Sequence, residues 1–217
     1  MQMKFDGLTR WAVVTADQRN SRRSADQVPA ALDVLAAAIG DRLVLPFERT
    51  AGDEVQALTA DPAAVVGAVL ALTRLSDWHI GIGLGAVDLP LPGSTREARG
   101  PAYLAARTAV EEARNAPANL RLVGSETVGA GPYGETVTQR AEAALVMLRA
   151  LVSRRTQEGW EIVDVLDETG SGKSAARLLG ISPSAVSQRA ARAARAESEL
   201  GAALAESLLA EAMGVAR

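Results

Sequence analysis

The pattern of apolar and polar positions changes at about residue 125 of the chain. Before that point, short apolar segments typical of buried strands alternate with segments whose apolar residues recur at helical spacing. The predicted order is strand, helix, strand, strand, helix, strand, followed by one more helix and a short strand. The first six elements are typical of a ferredoxin-like or palm domain, in which the first and third strands lie side by side.

The pattern beyond this region is helical throughout. The segment V-G-A-G-P-Y-G predicts a linker, because Gly and Pro interrupt periodic structure. We therefore predict an α+β protein with a palm-like domain over residues 1–128 and an all-α domain over residues 135–217. The last helix carries Leu200, Leu204 and Leu208 on one stripe, which must be buried against its own domain or against a second copy. Of these two alternatives we favour burial against a second copy, which makes the protein a homodimer.

Two short helices joined by a tight turn are predicted from the segment K-S-A-A-R-L-L-G-I-S-P-S-A-V-S-Q-R-A. Ala176 is small where the two helices must approach closely, and Gly180 adopts a left-handed turn conformation at little cost. Ser182 can cap the second helix, and Pro183 suits its first turn. This spacing is typical of a helix-turn-helix.

The preceding sequence G-S-G-K-S, residues 170–174, is similar to part of a phosphate-binding loop. Asp167 stands where such a loop needs its first glycine, and the residues before it have helical spacing instead of the strand pattern that a phosphate-binding loop follows. We interpret the two glycines as the entry turn of the helix-turn-helix, with Lys173 beside the DNA backbone.

Charge distribution supports a nucleic-acid partner. The chain has a formal net charge of −3, but residues 149–195 contain eight Lys or Arg against five Asp or Glu. Gln can read adenine in the major groove, and Arg can reach guanine or phosphate. The alternative is an ordinary helical hairpin without a ligand. The predicted DNA-contacting residues are Lys173, Arg177, Ser182, Ser184, Ser187, Gln188, Arg189, Arg192 and Arg195.

Composition narrows the class of protein. Of the 217 residues, 48% are apolar and only 3% are aromatic, so Ala, Leu and Val must fill most of the core. The absence of cysteine excludes disulfides and thiolate metal sites. No apolar run has membrane-spanning length, and the N-terminus lacks the apolar core of a signal peptide. We expect a cytoplasmic protein without a membrane partner.

Three carboxylates mark a second candidate site. Asp17 ends the first predicted strand, while Asp53 and Glu54 begin the third, so the predicted topology brings them to one edge of the sheet. Hard oxygen ligands of this kind suit Mg²⁺, which takes one or two carboxylates together with water and phosphates. The basic loop directly after Asp17 contains Arg19, Arg22 and Arg23, which can meet phosphates. The alternative is that these carboxylates are solvated turn residues paired with the neighbouring arginines.

Five short motifs in this order resemble the SatD family. They are A-D-x-x-N-S-R from Ala16, G-D-E-V-Q from Gly52, I-G-I-G-L-G from Ile80, G-P-A-Y-x-A-A-R from Gly100, and the terminal helix-turn-helix. The resemblance spans roughly residues 10–195. The first half of that family is similar to the palm of class III nucleotidyl cyclases and diguanylate cyclases, whose metal-binding carboxylates match Asp17 and Asp53. The nucleotide-binding candidates are Arg19 and Arg22 of the basic loop, together with Ser21 and Arg107 from the motifs of the resemblance.

The same resemblance argues against efficient catalysis. Leu104 stands where cyclases carry an Asn, Arg107 is offset by one position, and Ala51 replaces the first of the paired glycines of diguanylate cyclases. Loss of a transition-state donor costs on the order of a hundred- to thousandfold in rate. We therefore expect a DNA-binding regulator whose palm-like sensor domain binds a nucleotide, with Mg²⁺ as the candidate ion. The alternative is a nucleotidyl cyclase or a related phosphotransferase.

Overall fold

A five-stranded sheet forms the centre of the molecule. The computed structural model describes residues 11–21, 23–124 and 136–215; the predicted linker and Arg22 lie outside these ranges. The strands are β1 (Trp11–Gln18), β2 (Leu45–Arg49), β3 (Glu54–Thr59), β4 (Trp78–Gly85) and β5 (Leu120–Gly124). Their order across the sheet is β2-β3-β1-β4-β5.

The central strand β1 pairs antiparallel with β3 on one side and with β4 on the other. The predicted adjacency of the first and third strands is therefore confirmed. β5 is parallel to β4 and extends the sheet beyond the four strands of the palm-like pattern. In the register, Asp17 lies opposite Glu54 of β3 and His79 of β4, so these polar groups meet at one end of the sheet.

Eight α-helices accompany the sheet within the described ranges. They are α1 (Val28–Ile39), α2 (Pro62–Leu75), α3 (Pro101–Ala113), α4 (Val137–Val152), α5 (Gln157–Thr169), α6 (Gly172–Leu179), α7 (Pro183–Arg192) and α8 (Arg195–Met213). The fold is therefore α+β, in agreement with the palm-like pattern of the first region. No described helix has the length and apolar character needed to cross a membrane.

The main core lies on one face of the sheet and includes helices from both predicted regions. Side chains of α1, α2, α4 and α8 pack there in one continuous cluster with alternate residues of the strands. Leu145 and Leu148 of α4 and Leu209 of α8 are among its most buried members. Helices on both sides of the undescribed linker thus share a core, and the boundaries at residues 128 and 135 stay a prediction.

Helix α3 covers the opposite face and approaches β4 unusually closely. Gly81, Gly83 and Gly85 occupy alternate strand positions and therefore point to the same face. A Cβ atom at Gly83 would lie 2.2 Å from the carbonyl oxygen of Ala102 and 2.2 Å from the amide nitrogen of Ala106. The glycines of the I-G-I-G-L-G segment leave one face of this part of β4 without side chains, so the backbone of α3 packs directly against the sheet.

A smaller core joins α5, α6 and α7. Its buried members are Ile162, Ala175, Ala176, Val186 and Ala193. Polar contacts attach this unit to the rest of the molecule. Arg74 of α2 donates two hydrogen bonds to the carboxylate of Asp164 at 2.8 and 2.6 Å, and both Arg74 and Arg155 lie over the ring of Trp160.

Candidate functional site

The entry to α6 is a capped turn between helices. Gly170 ends α5 in the left-handed conformation, with φ +65°. The hydroxyl of Ser171 then accepts a hydrogen bond from the amide of Ser174 at 3.2 Å, which caps the first turn of α6. The G-S-G-K-S segment therefore turns the chain from one helix into the next, as predicted, and its contact with DNA phosphates stays a prediction.

A second left-handed glycine sets the angle between α6 and α7. Gly180 has φ +64° and ψ +29°, and the amide of Ile181 donates to the carbonyl of Ala176 at 3.0 Å. Ser182 caps α7 by accepting from the amide of Ala185 at 3.2 Å, so its hydroxyl has a structural role. Val186 anchors α7 in the small core. The outer side of this helix pair consequently faces solvent.

Polar and basic side chains predominate on that outer side, which we call the α6–α7 surface, although Leu178 of α6 is also exposed. Between Gly170 and Arg195 the sequence has five Lys or Arg and no Asp or Glu. Within the described ranges, the side chains of Gln188 and Arg192 make no hydrogen bond or ion pair with another residue, and both are exposed. Arg189 is half-buried. The exposed members of the surface are Lys173, Arg177, Ser184, Ser187, Gln188 and Arg192.

Arg195 lies apart from this surface. Its guanidinium forms ion pairs at 2.8 Å with both Asp167 of α5 and Glu199 of α8, and the side chain is 31% exposed. The charge of Arg195 is therefore balanced inside the chain. Its main contribution is to hold α5 against α8, and we leave it out of the α6–α7 surface.

Arg154 extends the positive charge beyond α7. Together with Arg189 and Arg192 it lines a pocket of about 330 Å³ beside the first turn of α5, where Glu158 is the one acidic lining residue. Arg154 follows α4 in a turn, outside any helical or strand periodicity. Sequence patterns therefore gave no signal for it.

A polar pocket of about 530 Å³ lies where Asp17 ends β1, and we call it the sheet-edge pocket. Asp17 and Asp53 both line it, as the predicted topology implies. Burial raises the pKa of Asp17, and the negative charge of Asp53 raises it further, so the two carboxyl groups interact. The lining residues are Asp17, Gln18, Arg19, Asn20, Ser21, Arg23, Asp53, His79 and Arg114.

The sequence patterns did not identify two of the residues that shape this pocket. Arg114, just past the end of α3, donates to the carboxylate of Asp17 at 3.0 Å. Gln18 is buried, and its amide donates to the hydroxyl of Ser24 and to the carbonyl of Ala25 at 3.0 and 2.7 Å. Gln18 had a detectable signal, since it is a polar residue at a position where the strand pattern calls for an apolar one.

His79 faces the same pocket from β4. Its Nδ1 atom is buried and has no hydrogen-bond partner among the described residues. Burial lowers the pKa of His79, and the guanidinium groups of Arg19 and Arg114 lower it further. The imidazole is therefore mainly neutral at pH 7.

The remaining predicted residues lie outside the pocket lining or outside the described ranges. The carboxylate of Glu54 accepts a hydrogen bond from the hydroxyl of Thr50, and burial raises the pKa of Glu54. Arg107 is exposed on α3 and donates to Glu111 at 3.2 Å. Arg22 is not described. Of the residues predicted to bind a nucleotide or its phosphates, the pocket thus brings together Arg19, Ser21 and Arg23.

The side chains of the sheet-edge pocket offer Mg²⁺ a limited set of oxygen donors. Asp17 and Asp53 supply two interacting carboxylates, but Arg114 already compensates part of the charge on Asp17. Within the described ranges, no group of three or more His, Asp or Glu residues is arranged to hold a metal ion. Because Mg²⁺ is commonly bound through one or two carboxylates plus phosphates and water, this donor set fits a phosphate-bound ion better than a free one.

Comparisons with known proteins leave the family open. No family model and no curated protein matches the chain. Among solved structures, the chain is similar to a regulator of polyketide synthase expression from Bifidobacterium adolescentis. The identity is 14%, the match covers 92% of this chain and 84% of that one, and the TM-score is 0.29. A TM-score this low does not establish a shared fold, and membership of the SatD family stays a prediction.

Proposed function

We propose that the protein is a DNA-binding transcriptional regulator that contacts DNA through the α6–α7 surface. The observation that carries the proposal is the absence of acidic residues between Gly170 and Arg195 in a chain whose overall charge is negative. A surface free of acids and rich in Lys, Arg, Ser and Gln matches the requirements of phosphate and base-edge contacts.

The arrangement of the two helices supports this assignment. The major groove is about 12 Å wide and admits one α-helix. Helix α7 carries Ser184, Ser187 and Gln188 on its exposed side, where they can meet base edges. Basic side chains lie on either side of these three residues: Lys173 and Arg177 of α6 on one side, and Arg192 at the end of α7 on the other. They are suited to contact the DNA phosphates that flank the bases.

A gel-shift selection on a genomic fragment library tests the proposal. We expect fragments to be retained at low salt by the native chain and to be lost by the Gln188→Ala, Arg192→Ala double variant. Arg99→Ala removes an exposed arginine in the segment before α3, outside the α6–α7 surface, and serves as the matched control. Failure to retain any fragment, or equal retention by the double variant, contradicts the proposal.

For the palm-like region we propose a sensor role, in which the sheet-edge pocket binds a nucleotide through its phosphates. The pocket supports this because three arginines line it, and because Ser21 and the loop held by Gln18 add polar groups. Mg²⁺ bound between the phosphates and Asp17 or Asp53 would neutralise charge in that complex.

A nucleotidyl cyclase or related phosphotransferase is the alternative for this region. Leu104, which stands where cyclases carry an Asn, and Arg107, which is offset by one position, are both exposed on α3 and absent from the pocket lining. We therefore expect binding without turnover when each nucleoside triphosphate is incubated with the protein and Mg²⁺ or Mn²⁺. If the native protein forms a nucleotide product and the Asp53→Asn variant does not, the protein is an enzyme instead.

A further inference from the structure

An exposed apolar face runs along α4 and α8. Three of the six large apolar side chains that are exposed in the described ranges lie on it: Met147 at 63%, Leu200 at 74% and Leu204 at 52%. Ala143 and Ala150 are also exposed, four residues before and three residues after Met147, on the same side of α4. We call these five residues the α4–α8 face.

The two helices are antiparallel, and their contacts fix the register of the face. Arg140 pairs with Glu211 at one end, Leu148 packs beside Gly201 in the middle, and Arg155 donates to Ser198 near the other end. A Cβ atom at Gly201 would lie 3.4 Å from Leu148, so the helices are in close contact. The exposed leucines of α8 therefore adjoin the exposed stripe of α4, and the apolar face is continuous.

Charges border this face in a regular way. At one end, Arg140 of α4 lies beside Glu211 of α8. At the other end, the exposed Arg154 lies in the turn that follows α4, and the exposed Glu197 lies in the first turn of α8. Arg154 and Glu197 form no ion pair with another described residue. Both ends thus carry a cation on the α4 side and an anion on the α8 side.

We propose that a second copy of this chain covers the α4–α8 face, with the two-fold axis parallel to the helices. That axis lays each α4 against the partner's α8 in antiparallel orientation and forms a four-helix bundle. Each end then brings an α4 cation to an α8 anion: Arg154 meets the partner's Glu197, and Arg140 meets the partner's Glu211. The charge pattern therefore complements itself.

The shape of the face also suits self-association. An isologous interface needs projections and recesses on the same patch, because each copy supplies both. Met147, Leu200 and Leu204 project from the face, and Ala143 and Ala150 leave room beside them. A continuous apolar patch bordered by charges is typical of a protein interface.

Pairing through α8 has a consequence for DNA recognition, which rests on the proposed function. Helix α8 begins three residues after α7 ends, so a dimer built on α8 sets the separation of two α6–α7 surfaces. Paired half-sites spaced by whole turns of the duplex are the usual targets of such an arrangement. The dimer itself does not depend on DNA binding.

Sedimentation equilibrium of the full chain tests the proposal. We expect the native protein at micromolar concentration to have twice the 22.6 kDa mass of the chain. Leu200→Glu places an unpaired charge in the interface and should raise the dimer dissociation constant by about a hundredfold. Leu104→Glu changes an equally exposed leucine on α3 and should leave the constant unchanged. Circular dichroism checks that both variants are folded.

A charge exchange tests the position of the axis. Arg154→Glu places a carboxylate beside the partner's Glu197 at two symmetry-related positions in the dimer. This repulsion should raise the dimer dissociation constant by about three- to tenfold. Adding Glu197→Arg should restore the native dissociation constant. A monomeric native protein at 100 µM, or a Leu200→Glu variant that dimerises like the native chain, overturns the dimer. If the double exchange does not restore association, the proposed axis is wrong. These outcomes are read without DNA and stay separate from the gel-shift result.

Discussion

His79, the single histidine of the chain, shows how one residue reports on the sheet-edge pocket. It lies opposite Asp17 in the sheet, and its buried Nδ1 atom has no hydrogen-bond partner among the described residues. Burial and the surrounding arginines lower its pKa, whose ordinary value is 6.5. An anion entering the pocket would offset the arginine charges and favour the protonated ring.

Proton NMR of the imidazole therefore tests the pocket directly, since one histidine gives one set of ring signals. In buffer with EDTA we expect the pKa of His79 to lie below 6.5 and to rise when inorganic triphosphate is added. Arg99→Ala should titrate like the native chain, because Arg99 is absent from the pocket lining. A pKa at or above 6.5 in the absence of ligand contradicts the described surroundings of His79. No change with triphosphate contradicts phosphate binding.

The sequence was sufficient to predict that Asp17 and Asp53 lie close together. The order of strands and helices makes the first and third strands neighbours, and the two residues lie at adjacent ends of these strands. Arg114 could not be predicted in the same way. It is 97 residues from Asp17, and its position depends on how far α3 extends over the sheet. That extent is set by packing against β4, which periodicity alone does not specify.

At the scale of elements, the glycines of β4 determine how closely α3 can lie on the sheet. Gly83→Ala would place a methyl group against backbone atoms of α3 that cannot move independently. We expect a loss of about 3 kcal/mol in the free energy of unfolding, the upper range for overpacking a core. Urea denaturation followed by circular dichroism measures it.

Gly93→Ala provides the control for that measurement, because a Cβ atom there meets nothing within 4 Å. Its stability should stay within about 0.5 kcal/mol of the native chain. If Gly83→Ala is as stable as Gly93→Ala, the close approach of α3 to β4 is wrong.

The turn between α6 and α7 depends on Gly180 for a different reason. A Cβ atom at Gly180 has free space, but φ +64° is a conformation that alanine adopts at a cost of about 1–2 kcal/mol. Gly180→Ala should therefore destabilise the α5–α7 unit by about that amount, as measured by hydrogen exchange of the α6 amides. Gly172 is the first residue of α6, and a Cβ atom there would meet only Val186 at 3.9 Å, so Gly172→Ala should not increase exchange. Equal exchange in the two variants contradicts the left-handed turn.

At the scale of the whole molecule, the helices beyond the undescribed linker divide between two cores. α4 and α8 pack on the sheet with α1 and α2, while α5, α6 and α7 form a smaller unit. The sequence predicted that each helix buries one face, but amphipathic spacing does not specify against which partner. It also placed Leu200, Leu204 and Leu208 on one stripe. In the structure Leu208 is half-buried, and the other two are exposed on the α4–α8 face.

The overall charge distribution gives the central claim its physical basis. A chain of net charge −3 presents an acid-free helix pair, so attraction to DNA must be local to the α6–α7 surface. Binding through that surface releases counterions, and affinity must fall as salt rises.

The most direct test is the salt dependence of DNA binding, measured by fluorescence anisotropy on a fragment from the gel-shift selection between 50 and 200 mM NaCl. We expect Arg192→Ala to reduce the slope of log Kd against log salt by about one unit, as loss of one phosphate contact requires. Gln188→Ala should weaken binding by about 1–3 kcal/mol and leave the slope unchanged. Arg99→Ala should match the native chain in both respects. Absence of binding at 50 mM salt, or a slope that Arg192→Ala does not alter, contradicts DNA recognition through this surface.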